Sequence, residues 1–310
     1  MTDIWGNAIK WDGMPIKKPG LYYGIPLEKY LSAKICEGYS ASSSMLGRIF
    51  NESPAHLYSS WDGNPHKIEE PESKYLTLGR ASHHLLLGED SFSTLYTVRP
   101  AKWDSWRTKD AQTWKAEQER AGYTVLVPDQ LEQIKGMARA LGAHPLVQAG
   151  ILNGLIEHSM FWQDAETGLW LKARPDAVPN DSGDYADLKS TMSVTDYALR
   201  KSIGDFGYYA QGALVTEGAF RVLGQKNTTF SLVCVERDPP YCVRVVTIPE
   251  GDLIRGERQN RLALRLFAKC LKDDVWPGPG TTDAEMIGLS DRNAEWLDKK
   301  LEAMEKELLT

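Results

Sequence analysis

Hydrophobic residues recur at the spacing of an amphipathic helix in several segments of the first half of the chain. A short helix is predicted over Ser42–Phe50, where serines can cap the first turn. Apolar residues three and four positions apart predict further helices over Tyr75–Leu87, Ala111–Gly122 and Pro128–Leu141. The first half of the chain is therefore expected to be mainly helical.

Short apolar runs bounded by turn-forming residues predict strands in the second half. The predicted strands are Leu155–Gln163 and Gly168–Val178 in one hairpin, Asp184–Ser190 as a third strand, and Thr228–Glu236 and Tyr241–Ile248 in a second hairpin. The helices predicted between and after them are Val194–Ile203, Gly207–Arg221 and Pro249–Lys272. This order predicts an α/β (α+β) fold, in which helices flank a mixed central sheet.

The composition indicates a folded protein. Its 310 residues are 42% hydrophobic, which is ample for a sizeable core. The formal net charge of -6 argues against a protein coated in basic surface, such as one that packages nucleic acid. A local basic groove is compatible with this charge, because residues that contact phosphate need to line only one channel.

Residues 1–20 lack a basic start followed by an apolar run, so neither a signal peptide nor a membrane span is predicted. The protein is therefore expected to be cytoplasmic. The cysteines form no C-x-x-C pair and fit buried thiols in a reducing compartment, without an iron–sulfur cluster. They are Cys36, Cys234, Cys242 and Cys270.

The C-terminal segment Asp291–Leu309 is predicted to form an amphipathic helix. Its apolar residues share one face, at three- and four-residue spacing: Leu297, Leu301, Met304 and Leu308. We expect that face to pack onto its own domain, with an oligomer contact as the alternative.

Two short motifs, Arg174-Pro175-Asp176 and Asp187-Leu188-Lys189, carry the clearest chemistry. Successive side chains of a strand point to opposite faces, so Asp187 and Lys189 share one face. The turn-forming residues between the motifs predict a chain reversal that brings Asp176 beside Asp187. Two carboxylates and an ammonium group suit metal-assisted cleavage of a phosphodiester. The alternative is a solvated pair at a strand end, which is common on protein surfaces.

Four motifs, in order along the chain, together resemble a known family. They are Gly79–Leu87 (GRASHHLLL), Arg174–Asp176, Asp187–Lys189 and Tyr209-Ala210-Gln211. The set resembles the RecE-like branch of the PD-(D/E)XK nucleases, which are phage and prophage exodeoxyribonucleases related to the nuclease domain of RecB and to lambda exonuclease. The resemblance implies a restriction-endonuclease-like core over residues 74–276. An N-terminal wrapping segment (1–73) and a C-terminal loop and helix (277–310) would complete a single compact domain.

The resemblance also implies the metal ligands. Asp176, Asp187 and the main-chain carbonyl of Leu188 would hold one or two Mg²⁺ or Mn²⁺ ions. His83 would be the helix histidine that approaches the metal, with His84 as the alternative in another helix register.

Lys189 matches the catalytic lysine of the family, which would either orient the attacking water or act as its base. Gln211 matches a glutamine that lies near the DNA backbone. Val215 stands where the family has a tyrosine, so Tyr208 or Tyr209 is the expected substitute.

Three further residues are candidates for supporting roles. Glu157 is a candidate accessory metal ligand. Lys172 and Arg174 alternate along the strand that leads to Asp176, so both are expected to face phosphates, or else to pair with neighbouring residues.

The expected function is a metal-dependent exonuclease that resects the ends of linear double-stranded DNA, 5′ to 3′, for phage-type recombination. The expected partners are a single-strand annealing protein and further copies of the chain in a ring. Two alternatives stay open: an endonuclease or flap-processing enzyme, and an inactive DNA-binding or scaffolding protein of the same fold.

Overall fold

The computed structural model describes residues 8–68, 81, 83, 92–180, 182–226 and 228–308. Its helices are α1 (Leu27–Leu31), α2 (Ser43–Asn51), α3 (Pro54–Ser60), α4 (Phe92–Leu95), α5 (Lys109–Arg120), α6 (Pro128–Gly142), α7 (Pro145–Gln148), α8 (Asp196–Asp205), α9 (Tyr208–Leu223), α10 (Glu250–Asp273) and α11 (Asp291–Leu308). Its strands are β1 (Ile9–Lys10), β2 (Gly20–Tyr23), β3 (Ser40–Ala41), β4 (Tyr96–Val98), β5 (Thr124–Leu126), β6 (Leu155–Ile156), β7 (Ser159–Gln163), β8 (Trp170–Ala173), β9 (Ala177–Val178), β10 (Asp184–Thr191), β11 (Thr229–Glu236) and β12 (Val243–Thr247).

The predicted helices are confirmed where the structure describes them. α2, α5, α6, α8, α9 and α10 begin and end within two residues of their predicted bounds. In α6, the side chain of Gln130 accepts a hydrogen bond from the N–H of Val127, which caps the first turn that Pro128 opens. The helix predicted over Tyr75–Leu87 lies outside the described residues except at Ala81 and His83, which are helical.

The larger sheet has five strands in the order β1-β2-β7-β8-β3. Its centre is the predicted β7–β8 hairpin, and β2 and β3 flank this hairpin in antiparallel and parallel register. Three of its strands come from the first 41 residues. The N-terminal segment therefore forms part of the sheet, which differs from the wrapping role expected from sequence.

The second sheet has three strands in the order β10-β11-β12. β10 was expected as a third strand after the first hairpin, but it pairs in parallel with β11, which is antiparallel to β12. Tyr185 and Ala186 are both buried, and they lie in two different hydrophobic clusters. Parallel strands are typically covered on both faces, and β10 is covered in this way.

Close packing of α9 against α10 supports one face of β10 and β11. A Cβ atom at Gly256 in α10 would lie 2.6 Å from the carbonyl oxygen of Tyr209 in α9. Only glycine allows the two backbones to approach this closely. α6 covers the opposite face, where Ile134 and Met137 pack against Leu188 in the same cluster.

The chain divides into two compact units, Met1–Pro277 and Gly278–Thr310. This differs from the single domain expected, because α11 buries no residue and so contributes nothing to a core. The apolar residues of its predicted face include Leu301, Met304 and Leu308, which are exposed.

Three of the cysteines, Cys36, Cys234 and Cys270, are buried free thiols, as predicted, whereas Cys242 is exposed. None of the helices in the described ranges is long and apolar enough to cross a lipid bilayer.

Candidate active site

The Arg174–Asp176 segment lies at an interruption of the first hairpin. The β7–β8 ladder stops at Ala173 and resumes as the short pair β6–β9. In the gap, Glu157 has a φ of 50° and its N–H donates to the carbonyl of Asp176 at 3.4 Å. The break takes Asp176 out of the strand ladder, and its carboxylate Oδ2 accepts a hydrogen bond from the N–H of Leu188 at 2.5 Å. The two motifs therefore meet, as the sequence predicted.

His83 joins this pair from a distant part of the chain. Its Nδ1 lies 3.3 Å from Oδ1 of Asp176, and its Nε2 lies 3.0 Å from the carbonyl oxygen of Leu188. Both ring nitrogens face acceptors, which the doubly protonated imidazole satisfies. Burial lowers the pKa of His83, but the carboxylates of Asp176 and Asp187 together outweigh burial and leave the pKa above its ordinary value. His84 lies outside the described residues.

Asp187 and Lys189 form a buried ion pair on one face of β10. Asp187 is 2% exposed, and its Oδ2 contacts the ammonium of Lys189. Burial and the negative charge of Asp176 raise the pKa of Asp187. Burial also opposes the charge of Lys189, but the two carboxylates raise the pKa of Lys189 overall, so its side chain is an ammonium at neutral pH.

The first turn of α9 completes the cluster. Gly207 precedes this helix with a φ of 64°, a conformation that glycine adopts without strain. Tyr208 places its ring 4.8 Å from Nζ of Lys189, and Gln211 donates from Nε2 to Oδ2 of Asp187 at 3.2 Å. Residues three apart share a helix face, so α9 presents both side chains to the site.

Gln211 also lines a cavity of about 660 Å³. Ser43 and Arg48 of α2 and Arg174 line the same cavity. A space of this size beside buried carboxylates accommodates a substrate of moderate size.

The family model of the "PDDEXK-like domain of unknown function (DUF3799)" matches residues 42–287. The chain belongs to this family. The predicted resemblance to PD-(D/E)XK nucleases is therefore confirmed, and so is the mixed α/β fold class of this PDDEXK-like protein. No curated protein matches the sequence.

Solved structures are similar to the chain to different degrees. The chain is similar to the crystal structure of a candidate exonuclease from Eubacterium rectale, with a TM-score of 0.60 and 14% identity over 88% of this chain and 98% of that one. A phage related exonuclease from Haemophilus somnus 129PT is 9% identical over 76% of this chain and 96% of that one, with a TM-score of 0.31. At these identities the likeness concerns the fold, and for the second structure it is weak.

Lys172 does not reach the surface of the PDDEXK-like domain. It is 1% exposed, and its ammonium donates to the carbonyls of Tyr30 and Ser32 at 2.6 and 2.8 Å. The prediction of a phosphate contact is wrong for this residue, because the β8 face that it shares with Asp176 in the sequence pattern is covered by α1. Arg174 donates to Ser159 Oγ and to the carbonyl of Ile25, and it reaches the cavity only as part of its wall.

Tyr209 also lies away from the site. Its hydroxyl donates to Oε1 of Gln259 at 2.6 Å, on the α10 side of the helix. Tyr208, the other tyrosine considered from the sequence, is the one beside Lys189. The three-residue spacing to Gln211 is the signal that identifies it. Val215 is buried and packs in the core, so it makes no polar contact.

Glu157 is close to Asp176 through its backbone. Its carboxylate, however, faces Nη1 of Arg174 at 3.8 Å and its side chain is 42% exposed. The assignment of Glu157 as an accessory ligand thus stays a prediction.

The donor set suits a hard divalent cation in its chemistry. Asp176 and Asp187 provide carboxylate oxygens, Leu188 a main-chain carbonyl and His83 an imidazole nitrogen. In the structure these groups are hydrogen bonded to one another and to Lys189. Among the described residues, no three His, Cys, Asp or Glu side chains have the arrangement of a metal site. Metal binding therefore requires these hydrogen bonds to be exchanged for coordination.

Proposed function

We propose that the protein is a metal-dependent exodeoxyribonuclease that resects the ends of linear double-stranded DNA from 5′ to 3′. The observation that supports this proposal is the convergence of His83, Asp176, Asp187 and Lys189 in one buried cluster. Ion pairs at strand ends are ordinarily solvated, whereas two neighbouring buried carboxylates cost folding free energy. Such a cost is typical of a site kept for chemistry.

Each side chain has a role that follows from its contacts. Lys189, held between Asp187 and the ring of Tyr208, orients the attacking water and offsets the negative charge that grows on the phosphate. Because the carboxylates raise its pKa, the role proposed for Lys189 is that of a cation. Gln211 holds Asp187 in place through its amide.

The proposed cofactor is Mg²⁺ or Mn²⁺, as one or two ions. Asp176, Asp187 and the carbonyl of Leu188 would hold the ion, with His83 completing the site. When bound, it would polarise the phosphate and lower the pKa of a water.

Linear duplex DNA is the proposed substrate, with a single-strand annealing protein as partner and a ring of this chain as the assembly. The similar structure from Eubacterium rectale, a candidate exonuclease, supports exonuclease over endonuclease activity.

Digestion of end-labelled linear duplex DNA with Mg²⁺ or Mn²⁺ tests the proposal. We expect Lys189→Ala and Asp187→Ala to lower the rate by roughly 100-fold or more, because each removes a group that stabilises the transition state. Lys269→Ala is the matched control, since Lys269 is exposed on α10 and pairs with Asp273 of the same helix. Circular dichroism checks that all variants fold.

Two results would refute the assignment. One is wild-type protein that leaves linear DNA intact with either metal. The other is a Lys189→Ala variant that digests DNA as fast as the Lys269→Ala control.

A further inference from the structure

A second cavity, of about 540 Å³, opens beside Lys189. Its floor includes Leu232 and Cys234 of β11, both buried, and its walls come from α8 and the loop that follows β10. This volume is within the range of small-molecule sites. The cavity is thus continuous with the candidate catalytic group and has an apolar floor.

The rim of this cavity carries exposed apolar side chains. Met192 and Tyr197 are each 79% exposed, and Phe206 is 69% exposed. Large apolar side chains grouped at an opening mark an interaction site, because their exposure costs free energy unless a ligand covers them. The rim therefore indicates a contact with an apolar part of a ligand.

Phe206 stands at the corner between α8 and α9, and it lines both the 540 Å³ cavity and the 660 Å³ cavity at Gln211. Its ring centroid lies 5.7 Å from that of Tyr208, with an interplanar angle of 34°. Lys189 and Gln211, which line one cavity each, both contact Asp187. A strand with a phosphate at Asp187 would therefore pass its adjacent nucleotide over Phe206.

The charge of the lining favours a polyanion. Lys189, Lys201 and Arg237 line the 540 Å³ cavity. Lys189 pairs with Asp187, and Lys201 pairs with Asp205, the one carboxylate among the lining residues. This excess of cations contrasts with the net charge of -6 of the whole chain. An apolar peptide would need no such cations, whereas a nucleotide needs both an aromatic surface and positive charge.

We propose that the 540 Å³ cavity is a base groove, which holds an unpaired nucleobase of the DNA strand adjacent to the scissile phosphodiester. Phe206 and Tyr197 provide stacking surfaces for the base, and Lys201 and Arg237 lie beside its backbone. This inference rests on the proposed nuclease function for its orientation towards Asp187. The occupancy of the groove by a base can be tested without cleavage.

Equilibrium binding of a short fluorescein-labelled oligothymidylate, measured by anisotropy with EDTA and again with Ca²⁺, tests the groove alone. We expect Phe206→Ala to weaken binding roughly tenfold, and Phe206→Trp to retain it, because stacking needs only an aromatic face. Phe220→Ala is the matched control, since Phe220 is an exposed aromatic residue of α9 outside the groove. Phe206 is highly exposed, so its variants should fold as the wild type does, and thermal melts check this.

Cleavage of end-labelled strands with one abasic nucleotide, moved stepwise from the end, tests the position of the base. For the wild type, we expect one abasic position to slow cleavage roughly tenfold. In Phe206→Ala the same abasic position should have little further effect, because the two changes remove one shared contact.

The outcomes separate the two proposals. The base groove is overturned if Phe206→Ala and Phe220→Ala bind oligothymidylate equally, or if the wild type shows no measurable binding, whatever the nuclease assay shows. A groove for a protein partner would give equal binding by the two variants. Phe206-dependent binding without any cleavage keeps the groove and removes the nuclease proposal.

Discussion

At the scale of single residues, the site depends on charges that compensate one another in a buried place. Asp187 and Lys189 are two positions apart on β10, so the strand itself puts them on one face. Asp176 and the doubly protonated His83 then bring one negative and one positive charge to the same place. Removal of any one of these groups leaves another charge buried without its partner, which is strongly unfavourable.

Lys172 predicts a pH dependence of stability. Burial lowers its pKa from 10.5 to about 8, so the folded protein releases this proton at lower pH than the unfolded chain. Between these two pKa values the unfolded chain binds more protons. Between the folded and the unfolded pKa, the free energy of unfolding should therefore rise with pH by up to about 1.4 kcal/mol per pH unit. Below the folded pKa, Lys172 should add no pH dependence.

Urea denaturation at about pH 7.5 and about pH 9.5 measures this effect. We expect the free energy of unfolding of the wild type, relative to Lys172→Met, to increase by about 2 kcal/mol between the two conditions. Lys269→Met, at an exposed position, should show no such increase. If the difference in the free energy of unfolding between the wild type and Lys172→Met is the same at both pH values, the lowered pKa of Lys172 is contradicted.

At the scale of elements, the site depends on how α9 is held against α10. Tyr208 and Gln211 occupy the first turn of α9, directly beside the close approach at Gly256. The amide of Asn260 in α10 donates to the carbonyl of Ala210 at 2.8 Å, which secures the same turn. Displacement of α9 would therefore move both side chains away from Asp187 and Lys189.

Gly256→Ala tests this dependence. The new Cβ would lie 2.6 Å from the carbonyl of Tyr209, a backbone atom that cannot move alone, so we expect a loss of about 1 to 3 kcal/mol of stability and a lower cleavage rate. Gly251→Ala in the same helix is the control, because its nearest neighbour is the flexible end of Arg255 at 3.5 Å. That variant should be neutral or up to about 1 kcal/mol more stable. Equal stabilities of Gly256→Ala and Gly251→Ala would show that α9 and α10 are not tightly packed at Gly256.

At the scale of the whole molecule, two sheets and two hydrophobic clusters meet around β10. Tyr185 belongs to the cluster under α9 and α10, and Leu188 belongs to the cluster under α6. Asp184 at the start of β10 is exposed, residues 185–188 are buried, and burial decreases again from Lys189 to Thr191. This places the candidate site at one end of the smaller sheet.

The proposed exonuclease activity requires a DNA end. We expect the protein to degrade linear duplex DNA and to spare the same DNA as a covalently closed circle. Duplexes labelled at the 5′ or the 3′ end should lose the 5′ label first. Cleavage of the closed circle would instead identify an endonuclease of the same fold.

The proposed ring has a separate test. Size-exclusion chromatography with light scattering should give a mass that is a multiple of the 34.7 kDa chain. A strict monomer at working concentration would count against a ring, without bearing on the chemistry of Lys189.

Local patterns in the sequence determine the helices, both hairpins and the two motifs of the site, because helix periodicity, turn residues and strand alternation act over a few neighbouring residues. Such patterns place Asp187 and Lys189 on one face of their strand. They also predict the chain reversal that brings Asp176 to these two residues. His83 was found only through the resemblance of four motifs to a family.

The tertiary structure decided what depends on contacts between distant segments. Three features are of this kind: the pairing of β10 with β11, the role of residues 9–41 in the larger sheet, and the burial of Lys172 under α1. So is the choice between Tyr208 and Tyr209, which are adjacent in sequence but point to different neighbours of α9. The physical reason is that strand alternation determines the face of the sheet to which a side chain points. Whether that side chain is exposed depends on which other element covers the face.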